Sequence, residues 1–159
     1  MEQIERVRRY LERTRQIYAG VPDRDDARLY YRDDVETFFV HCHHILDWAE
    51  HLNRAGVTRD DLQTYVNAHE ELRICADLCT GAKHCRVRNL RTSRQPHVSS
   101  IRRTAYPLED GQMVTAMDFG ITANGQLVDA LELAEACMDL WDEFTANPEQ
   151  LVDPADDDL

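Results

Sequence analysis

Lysine is almost missing from this chain: of 18 lysines and arginines in 159 residues, only Lys83 is a lysine. A coding preference for arginine explains such a ratio, so it makes Lys83 conspicuous without giving it a role. Acidic residues are missing between Leu78 and Leu108, and basic residues are missing after Thr104. No apolar run approaches the roughly 20 residues of a membrane span. The opening Met1-Glu2-Gln3-Ile4-Glu5-Arg6 lacks the apolar stretch of a secretory signal. The five cysteines are odd in number and show no framework spacing, which argues against a disulfide scaffold. Together these absences lead us to expect a cytoplasmic protein.

The length suits one domain able to bury a core without staples. The formal net charge is −12, which opposes avid non-specific binding to DNA. Yet the acid-free window carries Lys83, Arg86, Arg88, Arg91, Arg94, Arg102 and Arg103. Either this strip is neutralised within the molecule, by the acidic last helix or a partner subunit, or it tracks phosphates locally.

Hydrophobic periodicity predicts four helices. The first spans 2–19 and stops at Gly20 and Pro22. The second runs from Asp23–Asp26 to about Arg54, with Val35, Phe38, Phe39, Cys42, Ile45 and Leu46 on its apolar stripe. Thr58-Arg59-Asp60-Asp61 resembles a capping box and opens the third, which runs to about Thr80. The fourth starts at Asp129 and ends at Pro148. Residues 98–106 and 113–121 read as strands of a hairpin, with Asp110-Gly111 as turn signal, and Asn124-Gly125 marks a second turn. The expected fold is mainly α (α+β): a four-helix bundle with a small antiparallel β-hairpin inserted before the last helix. Residues 1–152 would form one domain, with the hairpin at about 98–121, and 153–159 an acidic disordered tail.

Two stretches carry the candidate chemistry. On the second helix, His44, Asp47 and His51 share a face, with His41 and Trp48 alongside. A carboxylate three residues from an imidazole can fix its tautomer and stabilise its charged form. After the third helix, Asp77, Gly81, Lys83 and His84 follow in close succession. Asp77 sits near a helix C-terminus, where an acid opposes the dipole at a cost of about 0.5 kcal/mol. Lys83 can hold a phosphate, and His84 can move a proton near neutral pH. Three readings stay open: solvated helix decoration, acid/base chemistry, or a metal bound by His44, Asp47, His51 and His84. Cys75, Cys79 and Cys85 match no strong zinc spacing, and Cys75 and Cys79 read as small buried hydrophobes.

The blocks His44-x-x-Asp47-Trp48 and Ala76-Asp77-Leu78-Cys79-x-Gly81-x-Lys83-His84 resemble those of a family of small uncharacterised bacterial helical proteins. More loosely, the arrangement is similar to HEPN-type helical bundles, many of them dimeric, metal-independent ribonucleases of toxin–antitoxin or phage-defence systems. Their signature is an Arg followed after four to six residues by a His. Ten residues separate Arg73 from His84, and five separate Arg91 from His97. The resemblance therefore implies a class and no catalytic residue by motif. It implies RNA cleavage or RNA binding, a homodimer, an antitoxin or defence-system partner protein, and no cofactor. On the residues themselves, His44 and His84 would exchange protons and Asp47 would orient His44. Asp77 would belong to the catalytic set. Lys83 would hold phosphate, and Arg86, Arg88, Arg91 and Arg94 would bind RNA. A non-catalytic dimerisation or partner-docking module is the alternative from another class.

Overall fold

The computed structural model describes residues 2–51, 56–84 and 88–146, the side chains of 49–51 excepted. Helix α1 (Glu2–Ala19) places Glu2 and Glu5 in its first turn, where they complement the helix dipole. It buries Ile4, Val7, Leu11, Thr14 and Ile17 along one face. At Gly20 the chain takes φ +136°, a conformation that favours glycine. The two-residue strand β1 (Val21–Pro22) follows.

The second predicted helix is broken. Helix α2 (Ala27–His43) ends at a single turn residue, His44, and α3 (Ile45–His51) resumes after it. The third is broken as well, into α4 (Arg59–Ala68) and α5 (Glu70–Lys83), with His69 extended between them. The Thr58 capping box is formed: Asp61 N–H donates to Thr58 Oγ1, and Thr58 N–H donates to Asp61 Oδ2. Strands β2 (His97–Pro107), β3 (Met113–Ala123) and β4 (Gln126–Asp129) precede α6 (Ala130–Ala146).

All pairings are antiparallel, and β3 is the hub of the sheet. β2 covers one edge of β3 along its length, from His97 opposite Thr122 to Pro107 opposite Met113. The other edge is shared by β1, at Val114 and Thr115, and β4, at Gly120–Ala123. Asn124 and Gly125 both have positive φ, as a two-residue hairpin between strands of right-handed twist requires. Asp129 then caps α6, its Oδ1 accepting from the N–H groups of Leu131 and Glu132.

The expected four-helix bundle with one inserted hairpin is therefore wrong. The described residues hold six helical segments and a four-stranded antiparallel sheet. Periodicity registers a helix face but not a one-residue break in it. β1 is too short for alternation to show, and β4 merges in sequence with the approach to the last helix. β3 alternates as a strand with one face on helices: Thr115, Met117, Phe119, Ile121 and Ala123 are buried. Its apolar members join one core with α1, α2, α5 and α6, which includes Phe38, Phe39, Leu72 and Trp141. Each such large apolar side chain contributes about 1.5–3 kcal/mol by leaving water. The predicted tail at 153–159 lies outside the described residues. No helix among the described residues is long and apolar enough to cross a membrane.

Candidate functional site

Three contacts fix how α2 and α5 lie together. Cys75 Sγ is 3.4 Å from the Phe39 carbonyl, Cys79 Sγ 4.0 Å from that of Val40, and Lys83 Nζ 2.8 Å from His44 Nε2. Residue numbers rise together along both helices, so the two run parallel and end side by side. The end of α5, which carries partial negative charge, thus meets the His44 turn between α2 and α3. Cationic groups are stabilised there.

Lys83 Nζ, an ammonium with donors only, must be the donor to His44 Nε2. His44 is therefore a neutral imidazole with its proton on Nδ1. Burial and then the Lys83 charge lower its pKa, against an opposing pull from Asp47. The adjacent His43 is pushed down to about 4 by burial, with Arg91 and His44 adding to the effect. Both rings are uncharged at neutral pH beside a cluster of cations.

Asp47 does not hydrogen-bond His44. Its Oδ1 is paired with Arg59 at 3.2 Å, both side chains being about half exposed. Trp48 follows with 43% of its surface exposed, unusual for so large an aromatic residue. His41 stacks on Tyr10, with ring centroids 4.9 Å apart, away from Lys83.

Asp77 is completely buried. Its Oδ2 accepts from the N–H groups of Arg91 and Thr92, each at 2.8 Å, and lies 2.7 Å from the Thr92 hydroxyl. Its Oδ1 has no hydrogen-bond partner but faces Arg91 Nη1 at 3.8 Å. Because α5 runs on to Lys83, Asp77 lies in mid-helix and not in the last turn as expected; its role is to anchor the basic loop. A second anchor lies beyond it: Ser93 N–H and hydroxyl donate to Asn124 Oδ1, and Asn124 Nδ2 donates to Glu70. These ties hold Arg91 where its charge, like that of Lys83, acts on His43.

The basic strip divides. Arg102 pairs with Asp118 and Arg103 with Asp23, so these two are neutralised by acids of the sheet and of the segment after β1, not by α6. Arg88 and Arg94 are exposed and make no ion pair with any described residue. Arg86 and the His51 side chain lie outside the described residues. His84 caps α5 through its N–H to the Thr80 carbonyl, and its ring is exposed.

The structure therefore brings His44 against Lys83, sets Arg91 over Asp77, and places Asp47 on Arg59. It does not bring His84 into hydrogen-bond contact with His44 among the described residues. The metal alternative is not assembled there either, since His44, Asp47 and His84 do not converge at ligand spacing. Sequence reasoning missed Arg59, His43 and Thr92. The capping box at Thr58 was the available signal for Arg59, because it fixes which residue opens α4. Nothing local marked Thr92, whose partner Asp77 belongs to the helix before its loop.

The site is open. A cleft of about 730 Å³ lies elsewhere, among Arg13, Gln16, Asp23, Arg24, Tyr30 and Asp34. It holds none of the candidate residues. No family model, curated protein or solved structure matches the chain.

Proposed function

We propose that the joined ends of α2 and α5 form an RNA-binding and RNA-cleaving site of the HEPN-like, metal-independent kind. The observation that carries this reading is the 2.8 Å contact between Lys83 Nζ and His44 Nε2. It couples an uncharged base to a cation that can leave it for a phosphate.

In this mechanism a phosphodiester enters among Lys83, Arg91 and Arg88 and draws the Lys83 ammonium onto its oxygens. His44 Nε2, so released, removes the proton of the neighbouring 2′-hydroxyl. The 2′-oxygen forms its bond to phosphorus as the bond to the 5′-oxygen breaks. His84, exposed at the end of α5, donates a proton to the leaving oxygen. Lys83 and Arg91 stabilise the charge that gathers on the phosphoryl oxygens. Trp48 offers an exposed face for a stacked base, a contact worth about 1–3 kcal/mol. Asp77 takes no part in proton transfer and positions Arg91. Asp47 acts through Arg59 and through its charge. An open surface suits a polymer better than an enclosed small molecule. A homodimer, an antitoxin or defence partner, and a cytoplasmic setting remain parts of the same proposal.

RNA cleavage in EDTA tests it. His44→Ala and Lys83→Ala should each lower the rate by about 100-fold or more. Intact RNA at high protein concentration counts against it. The competing reading is a docking module in which Lys83 simply satisfies the end of α5 and the His44 turn. It is favoured by the parallel packing of α2 and α5, and it predicts that the same variants lose stability while RNA is untouched from the start.

A further inference from the structure

Three thiols from three separate helices meet in the core. Cys42 on α2, Cys75 on α5 and Cys137 on α6 are all buried, and their Sγ atoms lie within 4.8 Å of one another. Among the described residues this is the sole His, Cys, Asp or Glu group that converges at metal-ligand spacing. The three positions are widely separated along the chain, so no local spacing announces them. The cluster is independent of the His44–Lys83 site and of its proposed reaction.

We propose that Cys42, Cys75 and Cys137 form a three-sulfur site for a soft monovalent metal ion, Cu(I). A metal–sulfur bond of about 2.3 Å in a planar three-coordinate site puts the sulfurs about 4.0 Å apart. The observed cluster lies within reach of that spacing with small side-chain adjustments. Thiolates select soft ions. The nearest polar atoms from the backbone are the Phe39 carbonyl at Cys75 and the Glu71 carbonyl at Cys137, each 3.4 Å from the sulfur. Carbonyl oxygens are hard donors and poor company for Cu(I), so coordination stays with the three sulfurs. Zn(II), which takes four ligands in structural sites, finds three here.

One buried donor beside the cluster is left over by the packing. The Trp141 indole N–H is buried with no conventional hydrogen-bond partner. It acts on Cys42. On binding, three copper–sulfur bonds form and the thiol protons leave for solvent. The ion stays Cu(I) and no electron moves. Since the sulfurs are buried, loading accompanies folding or local opening, and binding stabilises the fold.

The test uses the reduced, full-length protein, held anaerobically, with Cu(I) supplied as its acetonitrile complex against a Cu(I) chelator. The expected result is one ion per chain, a sulfur-to-copper ultraviolet band and a raised Tm. Cys42→Ala and Cys137→Ala should lose all three while keeping their helical circular dichroism. Cys79→Ser, whose sulfur lies at the Val40 carbonyl outside the cluster, should leave binding unchanged. No 1:1 binding, or binding that survives Cys42→Ala, overturns the site. Should either alanine variant fail to fold, cadmium NMR or X-ray absorption on the wild-type chain decides: a first shell other than three sulfurs rejects the proposal. Zn(II) bound at these cysteines in preference to Cu(I) overturns the choice of ion.

Discussion

His43 shows how one residue's surroundings reach the stability of the whole chain. Its pKa falls to about 4 in the fold, chiefly through burial, against about 6.5 when unfolded. Between those values the unfolded chain binds the proton and the folded one does not. Stability is then complete above about pH 6.5 and is lost as pH falls toward 4, by on the order of 2–3 kcal/mol. His43→Gln should flatten that part of a denaturation-versus-pH profile; an unchanged slope would show that His43 titrates normally. Asp77 is the second residue whose role is set by contacts. Asp77→Ala leaves two loop N–H groups without their acceptor, while the Thr92 hydroxyl keeps the Arg94 carbonyl. We expect a loss of about 3 kcal/mol in urea unfolding, with Asp77→Asn recovering part of it. An unfolding midpoint unchanged by Asp77→Ala would mean the loop is held elsewhere. Sequence singled out Asp77 as an acid near a helix end, but α5 runs on to Lys83, and the residues that use Asp77, Arg91 and Thr92, lie in the following loop.

At the level of elements, what was legible followed periodicity and capping chemistry. α1, the Thr58 box, the long hairpin strands and the start of α6 near Asp129 can all be read from the residues. The breaks at His44 and His69 cannot. At His44 the helical path barely changes: its N–H still reaches the Val40 carbonyl at 3.3 Å, and its carbonyl receives Trp48 N–H at 3.4 Å. The apolar stripe therefore runs on through the break. Yet that break sets His44 at the very end of α2, beside the last residue of α5. β1 and β4 escaped because such short strands carry too little alternation, and only β3 reveals them as partners. The cap of α6 gives a test at this scale. Asp129→Ala should cost about 1 kcal/mol in thermal or urea unfolding. No measurable change would show that the helix start is set by the Asn124-Gly125 turn alone.

For the molecule as a whole, the charge distribution decides where an anionic polymer can approach. A chain of net charge −12 repels it over most of the surface. Arg102, Arg103 and Arg91 are already paired with Asp118, Asp23 and Asp77, which leaves Lys83, Arg88 and Arg94 to meet it, with Arg91 beside them. The parallel packing of α2 on α5 brings two sequence blocks from different helices to that place. The most direct test of the account is cleavage of single-stranded RNA in EDTA by the wild-type chain, His44→Ala and Lys83→Ala, with circular dichroism confirming that each is folded. The account predicts cleavage by the wild type and about a 100-fold or greater loss in each folded variant. Cleavage that persists in both variants, or intact RNA with the folded wild type, would contradict it.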